Sequence, residues 1–279
     1  MTSILSNSSA MTALQTLNMV NKNLTQTQGR VSSGLAISFG KDNAAYFAIS
    51  ETMKSDSGMF ESINAGLTST KNSVATARLG AETVADLAKQ FTERVAFAQG
   101  SGVNLSDVQN ELDSLVAQIG TAISQSTFNG DDLVSGAAAT QTIVSGISRN
   151  GGTFAATTMT FDSVNLGAIQ TALDAVDVVT AGGTSQAALQ ATLTTAEAQL
   201  SNAIDAATSL GVAEKSIESQ QTFLGSLTDT LDQGVSAMVD AKMEEEAARL
   251  QALQTQQQLA TQALAMANSS PQSVLSLFR

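Results

Sequence analysis

Cysteine, histidine and tryptophan are absent from the 279 residues, and tyrosine and proline each occur once. Without a thiol or an imidazole there is no thiolate nucleophile, no histidine base and no Cys or His zinc site, which leaves catalysis only carboxylates, lysines and hydroxyls. A disulfide framework is excluded as well, a composition that suits a reducing compartment and a bridge-free secreted protein equally. Positive charge is scarce: 13 Lys and Arg stand against 25 Asp and Glu, for a net charge of −12. Such a field repels phosphate backbones and anionic bilayers, so neither a nucleic-acid partner nor membrane insertion is expected. No apolar run nears the roughly 18 residues that span a bilayer, and residues 1–10 hold no basic cluster followed by an apolar stretch, so no cleaved signal peptide is expected. Catalytic residues, metal ligands and cofactors are therefore expected to be none.

Glycine is unevenly spread: 8 of the 20 fall within residues 130–183. From residue 133 to 196 only Arg149, Asp162, Asp174 and Asp177 carry charge, and Ser, Thr, Ala and Gly dominate. This is the composition of turns, short strands and an exposed insert. Segments 141–148 and 153–164, with Ile143, Val144, Phe154, Met159 and Phe161, flank the turn signal Asn150, Gly151, Gly152 and predict a small hairpin.

The flanks repeat apolar residues at spacings of three, four and seven, the period of one helix face. The first stripe is Leu14, Leu17, Leu24, Val31 and Leu35; the second Val84, Leu87, Phe91 and Val95; the third Leu105, Val108, Leu112, Leu115, Ile119 and Ile123. The fourth is Leu189, Leu193, Ala196, Leu200 and Ile204, then Ile217, Leu224, Leu231 and Met238, then Met243, Leu250, Leu253, Ala260, Leu264 and Ala267. Gly211, Gly225 and Gly234 each cost ~1 kcal/mol in a helix, which predicts a break near residues 209–212. Pro271 is expected to end the last helix.

Residues 251–278 contain no charged side chain. A solvated helix ordinarily displays Lys and Glu outward, so a helix that offers Gln, Thr, Ala and Ser there is suited to contact on both faces. Self-association through the two ends follows. The terminal segments are expected to lack order in an isolated subunit and to gain it on assembly. Met11, Met19, Met238, Met243 and Met266 read as fillers of irregular gaps. Glu244, Glu245 and Glu246 point about 100° apart on a helix and read as a solvated rim.

The sequence becomes specific at Arg30, Val31, Ser32, Ser33, Gly34, Leu35, Ala36 and Ile37, followed by Lys41, Asp42, Asn43, Ala44 and Ala45. At the other end stand the run from Met238 through Glu246, then Leu250 to Leu259 with its five Gln at 251, 254 and 256–258, and a close of Asn268, Ser269, Ser270, Pro271, Gln272, Ser273, Val274, Leu275, Ser276, Leu277, Phe278 and Arg279. These two ends resemble the N- and C-terminal signatures of bacterial flagellins, with Ser33, Gly34, Leu35, Asp42, Asn43, Ala44, Ala45, Asn268 and Pro271 as the motif positions. The likeness covers roughly residues 1–135 and 190–279.

The resemblance implies a mainly α fold: an elongated antiparallel helical bundle or coiled coil formed by the N- and C-terminal segments, with a small β-hairpin region and a short insert. Residues 1–40 and 240–279 would be the inner filament core, 41–135 and 190–239 a helical rod, and 136–189 a short β- and loop-rich surface insert. Leu14, Leu17, Leu24, Val31, Leu35, Leu250, Leu253, Ala260, Leu264, Leu275, Leu277 and Phe278 are then the candidate polymer-interface residues. The implied role is an exported, self-assembling subunit of the flagellar filament that supports swimming, the alternative being a hook-filament junction protein. Implied partners are other copies of the chain in a helical filament, the flagellar export apparatus, an export chaperone, and filament cap and junction proteins. The implied location is the extracellular filament.

Overall fold

The computed structural model of the chain describes residues 7–150 and 153–276. In chain order it contains α1 (Ser8–Ser33), α2 (Ala44–Ala98), α3 (Leu105–Gln125), β1 (Thr140–Asn150), β2 (Thr153–Asp162), α4 (Leu166–Asp174), α5 (Val178–Thr184), α6 (Gln186–Val239) and α7 (Met243–Ser276). Long helices that pack together and one antiparallel strand pair make it mainly helical, as the four stripes predict. Two compact units divide the chain: Met1–Ser57 with Asp229–Arg279, and Gly58–Thr228.

The second unit is built on apolar residues, alanine among them, at heptad spacing. In α2, Phe60, Leu67, Val74, Ala81, Ala88 and Val95 recur every seven residues and are buried, interleaved with Ala77, Val84, Phe91 and Ala98. In α6, Leu189, Ala196, Ala203, Leu210, Ile217 and Leu224 do the same. A 3.5-residue period keeps each stripe on the partner helix as the pair supercoils. The two run antiparallel: Arg78 Nε donates to Glu214 Oε2 at 2.7 Å, and Gln99 Nε2 donates to the Leu189 carbonyl at 2.9 Å. Glu214, then Glu82, hold the Arg78 guanidinium above its ordinary pKa through the hydrogen bonds they accept.

The break expected at residues 209–212 does not occur, since α6 runs through Gly211, Gly225 and Gly234 without interruption. Burial of Leu210, Ile217 and Leu224 along its seam offsets the propensity cost of ~1 kcal/mol per glycine. The chain instead leaves the helix at Asp240, where backbone groups bond elsewhere. Pro271 does not stop α7 either, which continues to Ser276.

α3 starts at Asn104, whose side chain accepts from Ser106 N, and buries Val108, Leu112, Val116, Ile119 and Ile123. The short helices α4 and α5, which periodicity does not announce, lie against it. Gln109 joins them by donating to the Val176 carbonyl at 3.2 Å and accepting from Val178 N at 3.0 Å. The hairpin forms where the turn signal places it, with Thr140 opposite Asp162 and Asn150 opposite Thr153. Its register shifts between Val144 and Gly146, and the carbonyl of the extra residue, Ser145, accepts from Gln220 Nε2 at 2.7 Å.

Two glycines of this unit predict opposite stability effects. A Cβ on Gly80 would run into the side chain of buried Ser126, reaching its Cβ at 2.5 Å. Overpacking of about 1–3 kcal/mol exceeds the helix-propensity gain, so Gly80→Ala lowers the melting temperature of the soluble chain. Gly225 has nothing within 4 Å of that position, so Gly225→Ala raises it, the gain being roughly 0.5–1 kcal/mol. Thermal denaturation followed by circular dichroism checks both signs.

Candidate functional site

The turn between α1 and α2 explains each N-terminal motif position by its local chemistry. Gly34 closes α1 in the left-handed region, φ 75°, and donates to the Arg30 carbonyl, a conformation that glycine adopts without a Cβ penalty. Ser33 Oγ accepts from Leu35 N at 3.2 Å. Asp42 Oδ2 accepts from Ser38 N and Phe39 N, and Asn43 Oδ1 from Ala45 N and Tyr46 N, which caps the first turn of α2 where Ala44 and Ala45 sit. The same turn fixes the far end of α6. Leu35 bridges Asp240, Ala36 N and Ile37 N donate to the Val239 carbonyl, and Ala241 N donates to the Gly34 carbonyl. Those exchanges take the backbone bonds that would have carried α6 onward into α7.

Beyond this corner α1 and α7 pair as an antiparallel coil. The α7 positions up to Ser269 that are not exposed are Glu246, Leu250, Leu253, Gln257, Ala260, Leu264 and Ala267. Two interleaved heptad series, 246, 253, 260, 267 and 250, 257, 264, account for all of them. On α1 the corresponding positions are Ala10, Ala13, Leu17, Val20, Asn21, Leu24, Thr27, Arg30 and Val31. One narrow stripe of each helix is therefore covered, and the rest of each surface is open.

Among the described residues three polar contacts cross this seam. Arg30 Nη1 meets Glu246 Oε1 at 3.1 Å, Gln257 Nε2 donates to Asn21 Oδ1 at 2.7 Å, and Asn7 Nδ2 donates to the Ala267 carbonyl at 2.7 Å. Glu246 departs from the solvated rim expected of the acidic run: it is buried in the seam, while Glu244 and Glu245 are exposed.

The candidate interface residues fall into groups. Leu253 and Ala260 are buried in the seam; Leu17, Leu24, Val31, Leu250 and Leu264 line it half-buried; Leu35 is half-buried in the corner; Leu14 is exposed. Leu275 and Pro271 lie on α7 where side chains are not described, Asn268 is exposed, and Leu277 and Phe278 lie outside the described residues. The outer faces carry large apolar side chains that stripe reading missed: Met11, Met19 and Met266 are each more than 60% exposed, and Leu259 is 59% exposed. These methionines fill no gap within the chain, contrary to expectation, because they lie off the heptad series. The only charged residues of α1 are Lys22 and Arg30, and α7 has none after Arg249. Among the described residues no helix is long and apolar enough to cross a membrane.

Residues 4–139 match the family described as the bacterial flagellin N-terminal helical region, and residues 192–278 match the bacterial flagellin C-terminal helical region. The chain is 38% identical to a flagellin of Brucella melitensis and 32% identical to flagellin C of Rhizobium meliloti, with all of both chains covered in each case. It is 34% identical to flagellin FljM of Caulobacter vibrioides over 99% of this chain and 98% of that one. Among solved structures, one described as a flagellar hook-associated protein from Vibrio parahaemolyticus aligns with a TM-score of 0.53 at 18% identity, covering 72% of this chain and 100% of that one. That likeness is one of fold.

Proposed function

The chain belongs to the bacterial flagellin family, in a short form, and from that premise we propose that the coil of α1 and α7 is the part through which it builds its polymer. As a flagellin it is a structural subunit of the flagellar filament, and it works as an extracellular assembly of many copies of itself. The observation that carries the role of the coil is its open surface: one narrow seam is covered, while outer faces whose charge is confined to Lys22 on α1 and to the first turns of α7 expose Met11, Leu14, Met19, Leu259 and Met266. Neighbouring copies cover those faces.

A two-helix coil with Ala, Thr, Asn and Gln in its seam buries little apolar area per residue, and isolated helix pairs of this kind are marginal. Contacts with copies supply the missing area on several sides at once. One head-to-tail contact that does not close on itself then generates a helical filament. In this reading residues 1–40 and 240–279 form the inner core, 41–135 and 190–239 the rod, and 136–189 the small outer insert. The candidate interface leucines serve in two ways, with the seam residues building the coil and Leu14 meeting a neighbour. The chain is exported unfolded, a route on which the absence of cysteine prevents crosslinks, and it meets the export apparatus, a chaperone, the filament cap and the junction proteins on the way.

Seeding purified subunit and imaging it by electron microscopy tests the reading. Filaments are expected, with a higher helix content per residue by circular dichroism than in dilute subunit. Material that stays a fully ordered single molecule at high concentration with seeds present would contradict it.

A further inference from the structure

α7 passes through Pro271, whose backbone nitrogen carries no hydrogen. In an α-helix the N–H of residue 271 would bond the carbonyl of residue 267. That carbonyl, on half-buried Ala267 at the end of the seam, instead accepts from Asn7 Nδ2 at 2.7 Å. At the same time Asn7 Oδ1 accepts from Ala10 N at 3.1 Å and caps α1. A single amide thus supplies the donor that proline removes from one helix and the acceptor that the other helix needs at its start.

We infer that Asn7 and Pro271 form a register lock that selects one alignment of the two terminal helices out of several that the apolar stripe would accept. A strict heptad stripe meets itself again after a shift of seven residues, so Leu250, Leu253, Ala260 and Leu264 alone leave the alignment open. A lone polar partner in a seam is the kind of feature that closes such choices. Pro271 is the only proline in the chain, so before the last turn of α7 the Ala267 carbonyl alone lacks its ordinary intrahelical donor. A slipped α1 presents Asn7 to carbonyls already bonded along the helix and leaves this one empty. The contacts of Asn21 with Gln257 and of Arg30 with Glu246 favour the same alignment. The lock belongs to the coil itself and holds whether the coil forms in the subunit or on assembly.

The chain contains no cysteine, so two introduced ones label it cleanly. Exposed Thr25 and Ala265 are each changed to Cys and spin-labelled in the full chain. Distances are read by double electron-electron resonance in soluble subunit and in filaments, for the parent, Asn7→Asp, Pro271→Ala and the double variant. Asn7→Asp keeps a cap acceptor for Ala10 N and loses the donor. It is expected to add a second distance population, displaced along the axis by about 10 Å for one heptad, and to lower the temperature at which filaments dissociate. Pro271→Ala returns a donor to the Ala267 carbonyl, so Asn7→Asp in that background causes no further loss.

A single parental distance in Asn7→Asp overturns the lock, and so does equal damage by Asn7→Asp in both backgrounds, or a parent with no defined distance in either state. Failure of the parent to form filaments overturns the assembly reading instead, and the distances in soluble chain still decide the lock.

Discussion

A chain ending at Gln251 is expected to add to filament seeds at under about one hundredth of the full-length rate, a loss that needs only ~3 kcal/mol per added subunit. The deletion removes buried Leu253 and Ala260, the half-buried Gln257, Leu264 and Ala267, and the exposed Leu259 and Met266. α1 then has no partner over most of its length, and its own stripe of Ala, Leu, Val and Thr cannot hold a lone helix in water. The second unit keeps its core, because Val74, Phe91, Leu112, Ile119, Leu210 and Ile217 all lie within residues 58–228. Its unfolding transition in circular dichroism therefore persists. Growth at the parental rate, or loss of that transition, would refute the separation of polymer contact from subunit core.

The parts of this architecture that could be read beforehand are those whose buried positions are large. α3 shows its face in Val108, Leu112, Ile119 and Ile123, and α6 shows it in Leu189, Ile217 and Leu224, because those side chains stand out from polar neighbours at helical spacing. The first half of α2 hides because its covered positions include Ser50 and Ser57, which hydrophobic periodicity does not count. Ser57 earns its place by a hydrogen bond instead, donating to Asp232 Oδ1 at 2.9 Å. α4 and α5 span nine and seven residues, too short for three turns of pattern to accumulate. The three glycines of α6 argue for a break that seam packing prevents, and Asp240 ends the helix through bonds to a segment two hundred residues away, which no local signal carries.

Candidate interface positions divide for a related reason. A stripe at heptad spacing marks what a helix buries first, and in α1 and α7 that surface is taken by the partner within the same chain. The signal for the surface left to other copies is the scarcity of charge on the outer faces, which hold Lys22 on α1 and nothing charged on α7 after Arg249, with Met11, Met19, Leu259 and Met266 scattered among Gln and Thr. Asn7 illustrates a third kind of limit: its bond to Ala10 N is local, whereas its second bond depends on a proline 264 residues further along.

The outer faces give the second large effect, which separates contact from repulsion. Leu259→Glu and Leu259→Lys, each combined with Met266→Ser, are both expected to raise the concentration needed for growth by a factor of a hundred or more. Leu259 and Met266 are 59% and 67% exposed in the subunit, so these changes alter subunit stability by no more than about 0.5 kcal/mol. In the polymer a charge at position 259 loses water without gaining a partner, at a penalty of several kcal/mol per ion. The opposed signs decide the cause. Lysine moves the net charge of −12 one unit towards neutral and glutamate one unit away, so a mechanism based on long-range repulsion would have lysine assist assembly and salt rescue glutamate. Desolvation at a close contact predicts that both block and that salt restores neither. Assembly of both variants at the parental concentration would mean that this face of α7 meets solvent in the filament, and that the coil joins its neighbours through α1 alone.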